Sequence, residues 1–121
     1  MKKIIIILFL FILNCSSDKV SLKQPNANSK ARDILEYGRA LYNKGEYKSA
    51  INQFRYVISK FSENKKECAW AQYELAYTYY VMKDYKIALN EFKKVEMLYP
   101  EESGAIILAK KMIKEIELKL K

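Results

Sequence analysis

Histidine is missing altogether, and there are only 3 Gly, 2 Pro, 2 Cys and 1 Trp in 121 residues. Without histidine there is no imidazole to activate a nucleophile, shuttle a proton or ligate zinc. Two cysteines make neither a disulfide-stapled scaffold nor a four-thiolate zinc site. So little Gly and Pro argues against a turn-rich β sandwich and against a long disordered linker. The expectation is a binding protein rather than an enzyme, with no cofactor and no metal. What remains is one domain's worth of chain, 50% hydrophobic and 30% charged, with a formal net charge of +8.

The first residues stand apart. Lys2 and Lys3 precede an unbroken apolar run, Ile4 to Leu13. As a helix the run spans about 15 Å, against a bilayer core that needs about 20 residues. It therefore reads as a secretory h-region rather than a membrane span. Cys15 follows Ile12, Leu13 and Asn14, and Ser16, Ser17 and Asp18 come after it. This arrangement resembles a bacterial lipoprotein signal, with Asn14 standing where that pattern has a small residue. The resemblance implies cleavage after residue 14 and lipidation of Cys15, which would hold the chain on a membrane. The other reading is an uncleaved signal anchor with Cys15 a bystander. Residues 15–29 are polar and aperiodic, and read as the lipidated Cys plus a flexible tether.

The body of the chain, 30–121, repeats itself. At an offset of 38 residues Tyr47-Lys48 falls on Tyr85-Lys86, Ala50 on Ala88, Asn52 on Asn90, Phe54 on Phe92 and Val57 on Val95. Such self-similarity marks a repeat architecture. The residues resemble the tetratricopeptide pattern, in which a small residue and an aromatic on a first helix precede A-x3-F and a proline on a second. Repeat one, about 31–64, has Gly38, Leu41, Ala50 and Phe54, with Ser62 in place of the proline. Repeat two, about 69–102, has Leu75, Ala76, Tyr79, Ala88, Phe92 and Pro100. Lys65 to Cys68 are four additional residues expected to extend the second repeat's first helix backwards.

Gly38 or Ala76 is expected to let the paired helix approach at Ala50 or Ala88, while Phe54, Phe92, Val57 and Val95 fill the space between. Gly45 suits a helix C-cap, Asp84 an N-cap, and Pro100 a helix stop. Residues 103–121 form an amphipathic capping helix, with Ile106, Ala109, Ile113, Ile116 and Leu120 on one stripe. The fold class is all-α: a tetratricopeptide-repeat solenoid of two repeats plus this capping helix.

Phe61, Cys68-Ala69, Leu75-Ala76-Tyr77, Tyr79-Tyr80, Asp84-Tyr85, Ala88, Phe92 and Leu98-Tyr99-Pro100 resemble the BamD-type outer-membrane assembly lipoproteins. The resemblance covers 31–121, although that family carries about five repeats. It implies an accessory subunit held by its lipid on the periplasm-facing side of the outer membrane. Its partners would be the periplasmic domains of the barrel-assembly subunit and unfolded outer-membrane proteins, not nucleic acid. A pilotin-like lipoprotein for secretin or pilus assembly is one alternative. A peptide- or glycan-binding lipoprotein is another.

In a tetratricopeptide solenoid the first helix of each repeat lines the concave face. On that face fall Trp70, Tyr73, Tyr77 and Tyr80 of repeat two, at helical spacing. Arg32, Leu35, Arg39 and Tyr42 occupy the matching positions of repeat one. Aromatic anchors there suit a peptide groove, and Arg39 suits a carboxylate or carbonyl. The opposing reading packs the rings on the capping helix and leaves Arg39 solvated. Cys68 reads as packed, and Ser62-Glu63-Asn64-Lys65 matches S-x-x-K without its companion motifs. The lysine excess accompanies Ile, Asn and Tyr, all with A/T-rich codons. Composition explains much of it, while anionic lipid or an acidic partner stays open.

Overall fold

The computed structural model describes residues 23–121. The expected signal segment and the lipidation residue Cys15 lie outside these residues. The described part is all-helical: α1 (Ala31–Asn43), α2 (Tyr47–Lys60), α3 (Lys65–Val81), α4 (Tyr85–Leu98) and α5 (Ser103–Lys119). None of these helices is long and apolar enough to cross a membrane.

The connections set the architecture. Three residues join α1 to α2 and α3 to α4, and four join α2 to α3 and α4 to α5. Links this short make sequential helices antiparallel neighbours. Each helix packs on the next, and α3 also touches α1 and α5, whereas α2 and α4 do not meet. The helices therefore form two layers, α1/α3/α5 and α2/α4.

The 38-residue period is written into the backbone. At the end of α1 the Gly45 N–H bonds to the Tyr42 carbonyl at 2.9 Å and the Glu46 N–H to the Leu41 carbonyl at 2.9 Å. At the end of α3 the Lys83 N–H bonds to Tyr80 and the Asp84 N–H to Tyr79, both at 3.0 Å. These are two copies of one Schellman closure. The four-residue links also match: Asn64 bonds back to Phe61 at 2.8 Å, and Glu102 to Tyr99 at 3.0 Å. Helices α3 and α5 are both 17 residues long and start one period apart, so α5 is a third copy of the hairpin's first helix. The extension expected at Lys65 to Cys68 is present, since α3 begins at Lys65.

The core runs between the layers. Ala50, Phe54, Val57, Ala76, Ala88, Phe92 and Val95 are all fully buried. Gly38 is buried as expected, but it faces Phe54 rather than Ala50. A Cβ on Gly38 would lie 2.6 Å from the Phe54 ring. The small residue thus admits an aromatic ring rather than a second small residue. Gln72 of α3 is buried and tied to α4. Its amide donates to the Glu91 carbonyl at 2.9 Å and to Glu91 Oε2 at 2.7 Å. No buried side-chain polar atom among the described residues lacks a partner.

Three local expectations need correction. Asp84 sits at the N-cap of α4 but makes no side-chain capping bond; its ψ of 64° departs from the extended backbone of a capping residue. The buried stripe of α5 is Ala105, Ala109, Met112 and Ile116. Ile106 and Ile113 are only half-buried, and Leu120 is 42% exposed. Ala105 to Ala109 is apolar on every side, so the pattern alone left the rotation of α5 ambiguous. Finally, residues 26–29 of the expected tether form a turn. The Ser29 N–H bonds to the Asn26 carbonyl at 3.0 Å, and Asn26 Oδ1 accepts the Asn28 N–H at 2.9 Å.

Candidate functional site on the three-helix face

The spacing of three and four residues along α3 places Trp70, Tyr73, Tyr77 and Tyr80 on one edge. They form a continuous row of half-buried rings. Centroids lie 6.0 Å apart for Trp70–Tyr73, 6.1 Å for the stacked Tyr73–Tyr77 and 5.8 Å for Tyr77–Tyr80. Tyr42 of α1 joins at Tyr77, 6.2 Å away. Two rings absent from the sequence-based site extend the row into the other layer. Tyr47 lies 5.4 Å from Tyr42, and Tyr85 lies 5.5 Å from Tyr80. These two pairs are one period apart and share nearly the same tilt, 53° and 56°. The 38-residue offset of Tyr47 and Tyr85 was visible in the sequence. Their contact with the row depends on how each hairpin closes.

The row divides by environment. Tyr73 also packs on the fully buried Phe92, at 5.5 Å. Burial, followed by the Glu74 carboxylate, pushes its phenol up to about 12. Trp70 leans on the start of α5, where its ring lies 3.5 Å from the space a Cβ on Gly104 would take. Tyr80 donates to Glu115 Oε1 of α5 at 2.5 Å, and that bond is the first cause of its pKa rise to about 12. The Lys119 ammonium lies 5.8 Å from the centre of the Tyr85 ring. Trp70, Tyr73 and Tyr80 therefore help hold the helices together. Tyr42 and Tyr77 are left as the pair at the seam between α1 and α3.

Arg39 lies on the same seam and is ion-paired rather than free. Its Nε meets Glu74 Oε1 at 2.9 Å and its Nη1 meets Glu36 Oε1 at 2.8 Å. It bridges the two hairpins with its charge already countered. Leu35 is a correction: it is buried in the core, because the α1 position matching Tyr73 turns inward. Two shallow grooves meet at Arg39, each of about 250 Å³. One is lined by Arg39, Tyr42, Asn43, Tyr73, Glu74 and Tyr77. The other runs past Arg32, Glu36 and Lys66 to Trp70.

Reactive groups are few. Cys68 is fully buried and its thiol donates to the Phe61 carbonyl at 3.1 Å. Burial raises its pKa, which keeps it a thiol rather than a nucleophilic thiolate. No cluster of three metal-ligating side chains occurs among the described residues. The surface offers aromatic faces, phenol donors and a charge-balanced rim, which is equipment for binding. No family model, curated protein or solved structure matches the chain.

Proposed function

We propose that this is a lipid-anchored protein–protein adaptor of tetratricopeptide type, without covalent chemistry of its own. Its closest functional reading is a BamD-like accessory subunit of outer-membrane β-barrel assembly. In this reading Cys15 carries the lipid, and the helical domain faces the periplasm from the outer membrane. The three-helix face receives a segment of the barrel-assembly subunit or of an unfolded barrel substrate. One observation carries the adaptor reading: the half-exposed aromatic row that crosses from α1 to α3 at Tyr42 and Tyr77. Exposed rings of this kind bury large area on binding and keep a polar handle for a peptide backbone. The repeated hairpin closures and the motif residues Gly38, Ala50, Phe54, Ala76, Ala88, Phe92 and Pro100 support the tetratricopeptide assignment.

The test is crosslinking of the tagged full-length protein in intact cells, followed by purification and mass spectrometry. Recovery of the barrel-assembly subunit is the expected result. Recovery of a secretin or pilus component would replace this reading with the pilotin-like one. The two grooves at Arg39 favour one further reading, a short peptide or glycan as ligand. A thermal-shift panel decides it, since a ligand at 100 times its Kd adds about 2.7 kcal/mol.

A further inference from the structure

Helix α5 carries a further exposed surface. Along it run Ile107, Lys111, Lys114 and Leu118, at steps of four, three and four residues. Ile107 is 66% exposed and Leu118 65%, and both lysines are exposed between them. Of the acidic side chains of α5, Glu115 borders this side, as the i+4 neighbour of Lys111. Glu115 is held by Tyr80, and Glu117 lies off the stripe by about a quarter turn. Lys110 is occupied by Glu96 at 3.0 Å.

The repeat period shows what this side replaces. Ile107 stands where Ala31 and Ala69 stand in the preceding copies, and Lys114 where Gly38 and Ala76 stand, all four of them buried, while Lys111 and Leu118 stand one period on from the half-buried Tyr73 and Tyr80. Gly38 is the point where the next helix brings Phe54 against the backbone. A lysine at that crossing holds another helix away, and Lys111 and Lys114 interrupt any apolar seam between Ile107 and Leu118. Helix partners need an apolar contact nearly every turn. Two aliphatic side chains about 16 Å apart, with lysines between them, suit a bilayer surface instead. The aliphatic tips enter the headgroup boundary while the ammonium groups stay among lipid phosphates. We infer that the Ile107–Lys111–Lys114–Leu118 side of α5 rests on an anionic lipid surface. This inference does not depend on the partner reading of the aromatic row.

The test uses the full chain reconstituted in vesicles of equal parts phosphatidylcholine and phosphatidylglycerol, with photoreactive p-benzoylphenylalanine in place of Leu118. Lipid adducts should form at this position and remain sparse when the probe replaces Ile87 on α4. Each lysine near an anionic surface is worth about fivefold in partition, so Lys111→Glu with Lys114→Glu should lower the adducts about thirtyfold or more. Lys111→Arg with Lys114→Arg should retain them. All of these residues are exposed, and unchanged helicity by circular dichroism confirms that the variants compare like with like. Equal adduct yields at 118 and 87, or yields indifferent to charge reversal, would overturn the inference. So would crosslinks at 118 to a second copy of the chain or to another protein in place of lipid.

Discussion

Gly45 and Lys83 hold the same left-handed backbone one repeat apart, with φ of 79° and 66°. Each donates its N–H to the third residue back and so closes the first helix of its hairpin. For glycine that conformation is free of strain, whereas a Cβ makes it unfavourable by roughly 1 kcal/mol or more. Lys83 is the one non-glycine residue with positive φ among the described residues.

Lys83→Gly should therefore stabilise the domain, by about 0.5–1 kcal/mol after the greater unfolded-state entropy of glycine is set against the relieved strain. For a domain of this size that is a rise of about 4 °C in Tm. Gly45→Lys should lower Tm by a similar amount. A thermal melt followed by circular dichroism reads both.

Gly38→Ala places a methyl 2.6 Å from a fully buried ring. Alanine's better helix propensity favours the variant by about 1 kcal/mol, and overpacking opposes it by about 1–3 kcal/mol. Overpacking prevails here because Phe54 is enclosed on all sides. A net loss of about 1 kcal/mol is expected in urea denaturation. Ala88→Phe, at another fully buried position, should cost more because no helix propensity offsets it.

Alkaline pH should weaken the fold. Tyr73 and Tyr80 hold their protons in the folded state up to about 12, against an ordinary value of 10.0. Below pH 10 they are protonated whether the chain is folded or not, and their contribution is fully present. Above it the unfolded chain loses these protons first, so stability falls from pH 10 through about 12. Tyrosinate absorbance recorded with circular dichroism should show the last phenols ionising as the helices melt. Tyr73→Phe should flatten that part of the profile.

On the three-helix face, Tyr42→Ala combined with Tyr77→Ala should lose the protein partner while keeping wild-type helicity. Truncating a buried interface anchor typically costs about 2 kcal/mol, roughly thirtyfold in affinity. Tyr73→Ala should instead lower Tm, because its ring packs on Phe92. A double mutant that folds and still captures the partner would move the interface off this face.

The helices and their 38-residue period were legible in the order of residues alone. Fully buried Ala50, Phe54 and Val57 recur as Ala88, Phe92 and Val95 because each hairpin must bury the same crossing. Gly45 announced its turn through glycine's freedom at positive φ, while Lys83 hid the matching turn behind an ordinary side chain. Helical spacing also put Trp70, Tyr73, Tyr77 and Tyr80 on one edge. It did not say what covers that edge. Packing between the helices turned Trp70 toward Gly104, seated Tyr73 on Phe92, gave Arg39 its partner Glu74 and brought Tyr47 and Tyr85 into the row. The reason is physical. Periodicity along a chain fixes which side chains share a stripe, but the rotation and neighbours of a helix follow from packing between segments distant in sequence. That packing left Ile107 and Leu118 outside the core while admitting Ala105 and Met112.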